Sequence, residues 1–138
     1  MISNDVKEII RNSGVDGIDP KYVFSYGLPH SIQSQKLNKI VILVNDIARI
    51  PSGFGSDDII SDDGTVQVQF FYPVKADGDL TALYERPIRN LLRKNGWFQT
   101  IGGGIDRDPS TSHYIALIIS KKHFIKKEVI TNGKNQRY

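Results

Sequence analysis

The chain contains no cysteine, and it has one methionine and one tryptophan among 138 residues. Without cysteine it can form no disulfide, no thiolate zinc site and no cysteine nucleophile, and this absence favours a reducing compartment. No window approaches the roughly 18 consecutive apolar residues that a membrane-spanning helix needs. The first ten residues, MISNDVKEII, lack a basic segment followed by an apolar run. We therefore expect neither a signal peptide nor a membrane partner.

Motifs for catalysis and for cofactor binding are also missing. Gly53-Phe54-Gly55 begins like a phosphate-binding glycine loop, but Asp58 stands where the third glycine belongs and no helix follows. The acids from Asp57 to Asp63 lack the alternating spacing and the closing glutamate of an EF-hand. The three histidines are scattered, and there is no nucleophile elbow. We expect no enzyme, no cofactor and no metal; a convergent active site would require a pocket with converging polar groups.

Positive charge is concentrated at the C-terminus. From Lys121 onward there are six basic residues and one acid, whereas the remainder has twelve basic and fourteen acidic residues. The folded body is therefore not a basic nucleic-acid-binding surface of the usual kind. Length and composition predict one domain over residues 1–131 and a flexible basic tail over residues 132–138. A solvated tail is favoured over one that contacts nucleic acid or an acidic protein.

The clearest local prediction is one amphipathic helix that begins after Asp79, a suitable N-cap, and ends at Asn95-Gly96. Pro87 lies in its interior, where proline removes a backbone hydrogen bond, so we expect a kink or a break there. The apolar stripe at spacings of three and four comprises Leu80, Leu83, Tyr84, Ile88, Leu91 and Leu92, and the opposite face carries Arg86, Arg89, Arg93 and Lys94.

Residues 65–74 alternate Val66, Val68, Phe70 and Tyr72 with Gln67, Gln69 and Phe71, which predicts a strand with one buried face. The other predicted elements are a first helix over 5–12 capped by Ser3 or Asn4, a strand over 22–26, a central strand over 38–47, strands over 97–101 and 113–120, and a short final strand over 124–131. Long loops are predicted over 48–64 and 102–112. Trp97 and Phe98 are expected to fill the core.

These elements predict an α+β fold with a mixed, mainly antiparallel sheet and two helices packed on one face. The other face of the sheet would not be covered by the helices of this chain. Gln67, Gln69 and Phe71 lie on that face and suit a partner surface.

Several short motifs resemble those of a family of small tail proteins of siphophages and prophages of Gram-positive bacteria. The motifs are an IVL-type strand at Ile40–Val44, an SGFG-x-D segment at Ser52–Asp57, a V-x-V-x-F-F-Y strand at Val66–Tyr72 and a K-N-G-W helix end at Lys94–Trp97. The resemblance covers roughly residues 5–122.

The resemblance implies a tail terminator, or tail-completion protein, similar in fold and role to that of phage lambda. Such a protein forms a ring, in that case a hexamer, on the head-proximal end of the tail tube, where it stops tube growth and provides a surface for head docking. The implied partners are other copies of the chain, the major tail tube protein and the head connector or head-completion protein. DNA would only pass through the lumen. The implied location is the virion tail, with assembly in the host cytoplasm.

A ring of this kind requires two different complementary patches on each subunit. The acidic residues Asp57, Asp58, Asp62 and Asp63 are candidates for one side of the interface and Arg86, Arg89, Arg93 and Lys94 for the other. Phe54, predicted in a polar loop, is a candidate loop anchor or contact residue, and Gln67 and Gln69 complete the predicted interface.

Two alternatives come from other classes of protein. One is a head-completion or connector adaptor, although such proteins tend to be mostly helical or to form a small β-barrel. The other is a small nucleic-acid-binding domain that acts through the basic C-terminal tail, which would show a steep salt dependence.

Overall fold

The computed structural model describes residues 2–29, 39–54, 59–73, 79–107 and 114–125. Two helices pack on one face of a five-stranded sheet, which confirms the predicted α+β fold. The elements are α1 (Ile2–Arg11), a 3₁₀ turn (Pro20–Tyr22), β1 (Val23–Ser25), β2 (Val41–Phe54), β3 (Ile59–Phe71), a π-helical turn (Thr81–Glu85), α2 (Arg86–Lys94), β4 (Phe98–Arg107) and β5 (Tyr114–Ile125).

The strand order is β1-β2-β3-β5-β4, with β1 parallel to β2 and all other pairs antiparallel. The prediction that the apolar run over 38–47 forms the central strand is wrong, because β3 occupies the centre. Both helices cover the same face of the sheet. Ile42 and Val44 are therefore fully buried beneath them, whereas Leu43 and Asn45, on the other face, are only half-buried.

Helix α1 begins at Ile2, three residues before the predicted start, and neither Ser3 nor Asn4 acts as a preceding cap. Ser3 lies inside the helix, and its backbone N–H donates to Asp46 Oδ1 on β2 at 2.7 Å. A tertiary contact therefore satisfies a first-turn donor that a local cap normally satisfies. Ile2, Val6 and Ile10 form the buried stripe of the helix.

The predicted break near Pro87 is a π-helical turn immediately before α2, in which the Arg86 N–H donates to the Thr81 carbonyl. The N-cap prediction is confirmed, because Asp79 Oδ1 accepts from the Ala82 N–H at 3.1 Å. Leu83, predicted in the apolar stripe, is 52% exposed, and Glu85, three residues before the buried Ile88, faces the core.

The predicted stop at Asn95-Gly96 is confirmed. Gly96 has φ 89°, its N–H donates to the Arg93 carbonyl at 3.0 Å, and the Trp97 N–H donates to the Leu92 carbonyl at 2.9 Å. These two bonds form a Schellman motif, which requires a left-handed residue. The motif directs Trp97 into the core, whereas Phe98 is 57% exposed, so the expectation for Phe98 is wrong.

The predicted loop over 48–64 is also wrong, because β2 and β3 continue through it as one long antiparallel hairpin. Ile50 pairs with Asp63 and Phe54 with Ile59, and residues 55–58 lie outside the described residues. Pro51 and Gly53, which suggested a loop, fall at register shifts between Pro51 and Phe54, where bulges accommodate them. In the same way β4 continues through 102–104, and β5 extends to Ile125. The rest of the final strand predicted over 124–131 lies outside the described residues.

One hydrophobic core lies between the helices and the sheet. Trp97, Tyr72 and Phe70 are its largest fully buried side chains. Val66, Val68 and Phe70 of β3 and Tyr72 just after it are buried, as alternation predicts, and Ser61 and Gly64 of β3 are buried as well. The predicted tail over 132–138 lies outside the described residues.

Candidate assembly interface

The basic helix face predicted from the sequence lies beside the edge strand β4. Arg86, Arg93 and Lys94 are exposed, and Arg89 is half-buried. Among the described side chains, no carboxylate lies within ion-pair distance of these four groups. Arg89 interacts electrostatically with the Glu85 carboxylate, and the charges of the other three are available to an acidic partner.

Two shallow grooves meet at Phe98, the exposed first residue of β4. One has a volume of about 390 Å³ and is lined by Arg89 and Arg93 together with Phe98, Gln99 and Thr100. The other shares Phe98 and Thr100, has a volume of about 480 Å³, and is lined further by Asp63, Gly96, Lys121, Lys122 and His123. An exposed aromatic ring surrounded by cations is typical of an interface anchor. We call this surface, comprising Arg89, Arg93, Phe98 and Thr100, the β4 patch.

The predicted acidic patch differs from the expectation. Asp62 and Asp63 lie on β3 rather than in a loop, and both are already paired within the chain. Arg49 Nε is 3.1 Å from Asp62 Oδ2, and His123 Nδ1 is 2.7 Å from Asp63 Oδ1. Asp57 and Asp58 lie outside the described residues, as does the side chain of Phe54, whose backbone is the end of β2.

The base of the hairpin is held by stacked aromatic and cationic groups. The Arg49 guanidinium lies 4.7 Å and Lys122 Nζ 5.4 Å from the centroid of the Phe124 ring. Trp97 contacts the same ring edge-on, with centroids 5.9 Å apart. Cation–π and edge-to-face contacts of this kind fix the hairpin relative to α2 and the core.

The sheet face opposite the helices carries Gln67 and Gln69, as predicted. Gln69 pairs across the sheet with Leu43 and Leu117, and Gln67 with Asn45 and Ile119. All of these residues are half-buried, and neither of the two helices covers them. This face is therefore a mixed polar and apolar surface.

At the opposite edge of the sheet, Tyr26 follows β1. It is the only non-glycine residue with positive φ in the described part of the chain, at 70°, and it is 47% exposed. Its N–H donates to the Val44 carbonyl at 3.2 Å, and the preceding Ser25 hydroxyl donates to Asn4 Oδ1 on α1 at 3.0 Å. Left-handed backbone is unfavourable for a bulky residue. The fold therefore holds an aromatic ring at the surface in a strained conformation.

Helix α1 carries Asp5 and Glu8 together with Lys7 and Arg11. Asp5 and Glu8 are exposed and separated by one turn, whereas Lys7 and Arg11 are half-buried. Arg11 Nη1 lies 3.9 Å from Glu8 Oε1, and Nη2 of the same guanidinium donates to the Val23 carbonyl at 2.6 Å. We call Tyr26 with Asp5 and Glu8 the β1 patch.

Positive charge is concentrated in the second part of the chain. Residues 1–85 contain twelve acids and seven bases, whereas residues 86–125 contain two acids and seven bases. Residues 2–29 and 39–54, which include α1, β1 and β2, carry five acids and five bases, so the β1 edge is balanced in charge. Helix α2, beside β4, carries four bases and no acid.

One buried polar pair lies inside the fold rather than on either patch. The Tyr72 hydroxyl donates to Glu85 Oε2 at 2.8 Å. Burial raises the pKa of the Glu85 carboxyl, and the hydrogen bond from Tyr72 opposes that rise. Burial also raises the pKa of the Tyr72 hydroxyl. Each side chain is the hydrogen-bond partner of the other, so neither polar group pays the free-energy cost of being buried without a partner.

Sequence reasoning missed Tyr26, Phe98 and the exposed Ile47 and Ile50 of the hairpin. Phe98 follows a buried residue at the start of a strand, where alternation places it outward. The segregation of charge at residue 86 could have been counted directly. Nothing in the sequence indicates the positive φ of Tyr26.

Neither a metal centre nor a membrane span is found in the described ranges. No three His, Asp or Glu side chains there are close enough to hold a metal ion. No helix of those ranges has the length and apolar character needed to cross a bilayer.

A family model described as "Protein of unknown function (DUF806)" matches residues 1–129 of the chain. The match includes both patches, the hairpin and all five strands. No curated protein matches the chain.

Proposed function

The chain belongs to the DUF806 family, and we propose that it is a structural protein of phage tail assembly. In this proposal, copies of the chain form a closed ring at the head-proximal end of the tail tube. The ring stops tube growth and provides the surface on which the head docks. The motifs that resemble siphophage tail proteins motivate the assignment.

The observation that carries the proposal is the difference between the two edges of the sheet. The β4 patch is cationic with an exposed phenylalanine, whereas the β1 edge is balanced in charge and has an exposed tyrosine. An isologous dimer uses the same patch twice, whereas a ring needs two unlike patches on each subunit. Two unlike edges on opposite sides of the sheet suit head-to-tail contacts.

The hairpin of β2 and β3 supplies a further surface for docking to the tube or the connector. Ile47 and Ile50 are exposed on β2, at 51% and 60%. The contacts of Arg49 and Lys122 with Phe124 hold its base. An apolar projection on a fixed base suits a contact with a second protein.

Ring formation is tested by the particle mass from light scattering after size exclusion, followed by negative-stain imaging. The wild-type chain is expected to form particles near six times 15.5 kDa with a central hole. The double variant Arg89→Glu/Arg93→Glu should stay folded by circular dichroism but assemble at least about tenfold more weakly, because an exposed ion pair contributes up to about 1 kcal/mol and reversal adds repulsion.

A matched control is Lys134→Glu/Arg137→Glu, which makes the same change in net charge near the C-terminus and includes no residue of either patch. It should assemble as well as the wild type. An unchanged particle mass for the Arg89→Glu/Arg93→Glu variant would contradict the role of the basic helix face in the ring.

A further inference from the structure

We propose that the β4 patch binds single-stranded nucleic acid, with phosphates on the cations of α2 and β5 and one base stacked on Phe98. This inference goes beyond the proposed function, because it gives a ligand to the single subunit. A neighbouring copy that covered the same patch in a ring would compete with that ligand.

The cations of α2 lie along one line. Arg86, Arg89 and Arg93 are three and four residues apart, so their side chains lie on the same side of the helix. With a rise of about 1.5 Å per residue, this row extends over roughly 10 Å. A row of guanidinium groups suits a linear polyanion, because each planar group can bind a phosphate through two hydrogen bonds.

Strand β5 extends the cationic surface beyond Phe98. Lys121 is exposed and is the Cα partner of Phe98 in the register of β4 and β5, so the two side chains lie side by side on one face of the sheet. Lys122 lines the same groove as Phe98. The described side chains of α2, β4 and β5 include six lysines and arginines and no carboxylate. Cations of two elements therefore border the Phe98 ring.

Two described carboxylates lie near the patch, and both are engaged within the chain. Asp63, which lines one of the two grooves, has its Oδ1 2.7 Å from His123 Nδ1. Glu85 interacts electrostatically with Arg89, but it is buried and accepts the Tyr72 hydroxyl at 2.8 Å. The patch therefore presents a net positive charge to a ligand.

The balance of charged and apolar groups favours nucleic acid over an acidic protein. The centre of a protein–protein interface is depleted of charged residues, whereas surfaces that bind nucleic acid are more polar and much more positively charged. The β4 patch has one exposed apolar ring, that of Phe98, among its cations. Gln99, which lines the groove with Arg89 and Arg93, is a neutral side chain of a kind that contacts phosphates and sugars.

The exposed ring favours a single strand over a duplex. Phe98 is 57% exposed where the two grooves meet, while Trp97 beside it is buried in the core. An exposed aromatic ring can stack on an unpaired base, whereas the bases of a duplex are already stacked on each other. Because both grooves are shallow, a strand can cross them with its backbone on the cations.

Fluorescence anisotropy of a labelled oligothymidylate of about 12 nucleotides, titrated with the full-length chain at several salt concentrations, tests the site. Arg93→Gln/Lys121→Gln removes two phosphate contacts, so the slope of log affinity against log salt should become shallower by about 1.4. The matched control is Lys134→Gln/Arg137→Gln, which changes the net charge equally near the C-terminus and outside the patch. The control should keep the wild-type slope.

A second pair of variants tests the stacking of a base on Phe98. Phe98→Ala should weaken binding at least about fivefold at every salt concentration and keep the wild-type slope, because it removes a stack and no phosphate contact. Leu83→Ala is its control, because Leu83 is 52% exposed and lines neither groove. Circular dichroism checks that both variants fold. Unchanged affinity in Phe98→Ala would contradict the proposed stacking.

The outcomes separate this inference from the proposed function. If the wild type forms rings, excess oligonucleotide should lower the particle mass, because the strand and the neighbouring copy occupy the same patch. Ring-sized particles with no bound oligonucleotide would overturn this inference and leave the ring in place. An equally reduced slope in Lys134→Gln/Arg137→Gln would overturn it by assigning the binding to the C-terminal tail. It would also be overturned if polyglutamate displaced the labelled strand as effectively as unlabelled oligothymidylate.

Discussion

At the residue scale, Glu85 is the least expected member of the core. It lies three residues before Ile88 and seven before Leu92, and these three positions share the buried face of the helix. Its carboxylate accepts the Tyr72 hydroxyl at 2.8 Å, so the burial of each group depends on the other. The apolar stripe of the helix therefore includes one ionisable side chain.

Replacing Glu85 should change how stability depends on pH. The pKa of Glu85 is raised above 4.5 in the folded state, so the folded protein binds the proton more tightly than the unfolded chain. Stability from this group is therefore fully present below pH 4.5 and is lost as the pH rises through the raised pKa. Glu85→Gln carries no charge at this position. As the pH rises through the raised pKa, the free energy of unfolding of the wild type should therefore fall relative to that of the variant.

Urea denaturation of the wild type and Glu85→Gln at several pH values measures this difference. Glu85→Ala is the companion variant, because it leaves the buried Tyr72 hydroxyl without its acceptor. It should cost about 1–3 kcal/mol at every pH. If the free energies of unfolding of the wild type and Glu85→Gln depend on pH in the same way, the account is contradicted.

At the element scale, the helices and the alternation of β3 were predictable from the sequence because local rules govern them. The Asp79 cap, the Asn95-Gly96 stop and the alternation of buried residues in the second half of β3 follow from caps, left-handed glycine and the period of a strand. The start of α1 was not predictable, because its first-turn donor is satisfied by Asp46, which is 43 residues away. The hairpin was missed because Pro51 and Gly53 suggest a loop, while in the sheet they fall at bulges.

The turn at Asp16-Gly17 supports the π-helical turn, and a matched pair of glycine variants tests this contact. Gly17 and Gly14 both have positive φ, at 91° and 69°. A Cβ at Gly17 would lie 2.8 Å from Cε1 of Tyr84, whereas a Cβ at Gly14 meets nothing within 4 Å. Gly14→Ala should cost about 1–2 kcal/mol from backbone strain alone.

Gly17→Ala should cost more than Gly14→Ala, because it must also displace the Tyr84 ring from its place against the core. Overpacking of this kind costs a further amount of about 1–3 kcal/mol. Thermal unfolding of both variants gives the comparison. If both variants lose the same free energy of unfolding, the Tyr84 ring does not pack against this turn.

At the scale of the whole molecule, the fold shows where in space the charges counted along the sequence lie. Counting from Lys121 suggests a basic tail on a weakly acidic body. The fold instead places four bases and no acid on α2, beside the edge strand β4. Which residues share an edge depends on tertiary pairing, so neither Tyr26 nor Phe98 could be assigned to an edge in advance.

The candidate interface was therefore predicted in part. The basic helix face is exposed where the helical period places it, and Gln67 and Gln69 lie on the uncovered sheet face. Asp62 and Asp63, expected to face a neighbour, are engaged by Arg49 and His123 of the same chain. Side chains that pair across a hairpin of this length are far apart in the sequence, so no local sequence pattern predicts which residues pair.

The central claim is that the protein caps one end of a tail tube. Electron microscopy of tubes made from the major tail tube protein of the same phage, incubated with this chain and then supplied with more tube protein, tests it directly. The account predicts a ring at one end of each tube and no further growth at that end. Tubes that continue to grow at both ends, with no added density at either, would contradict it.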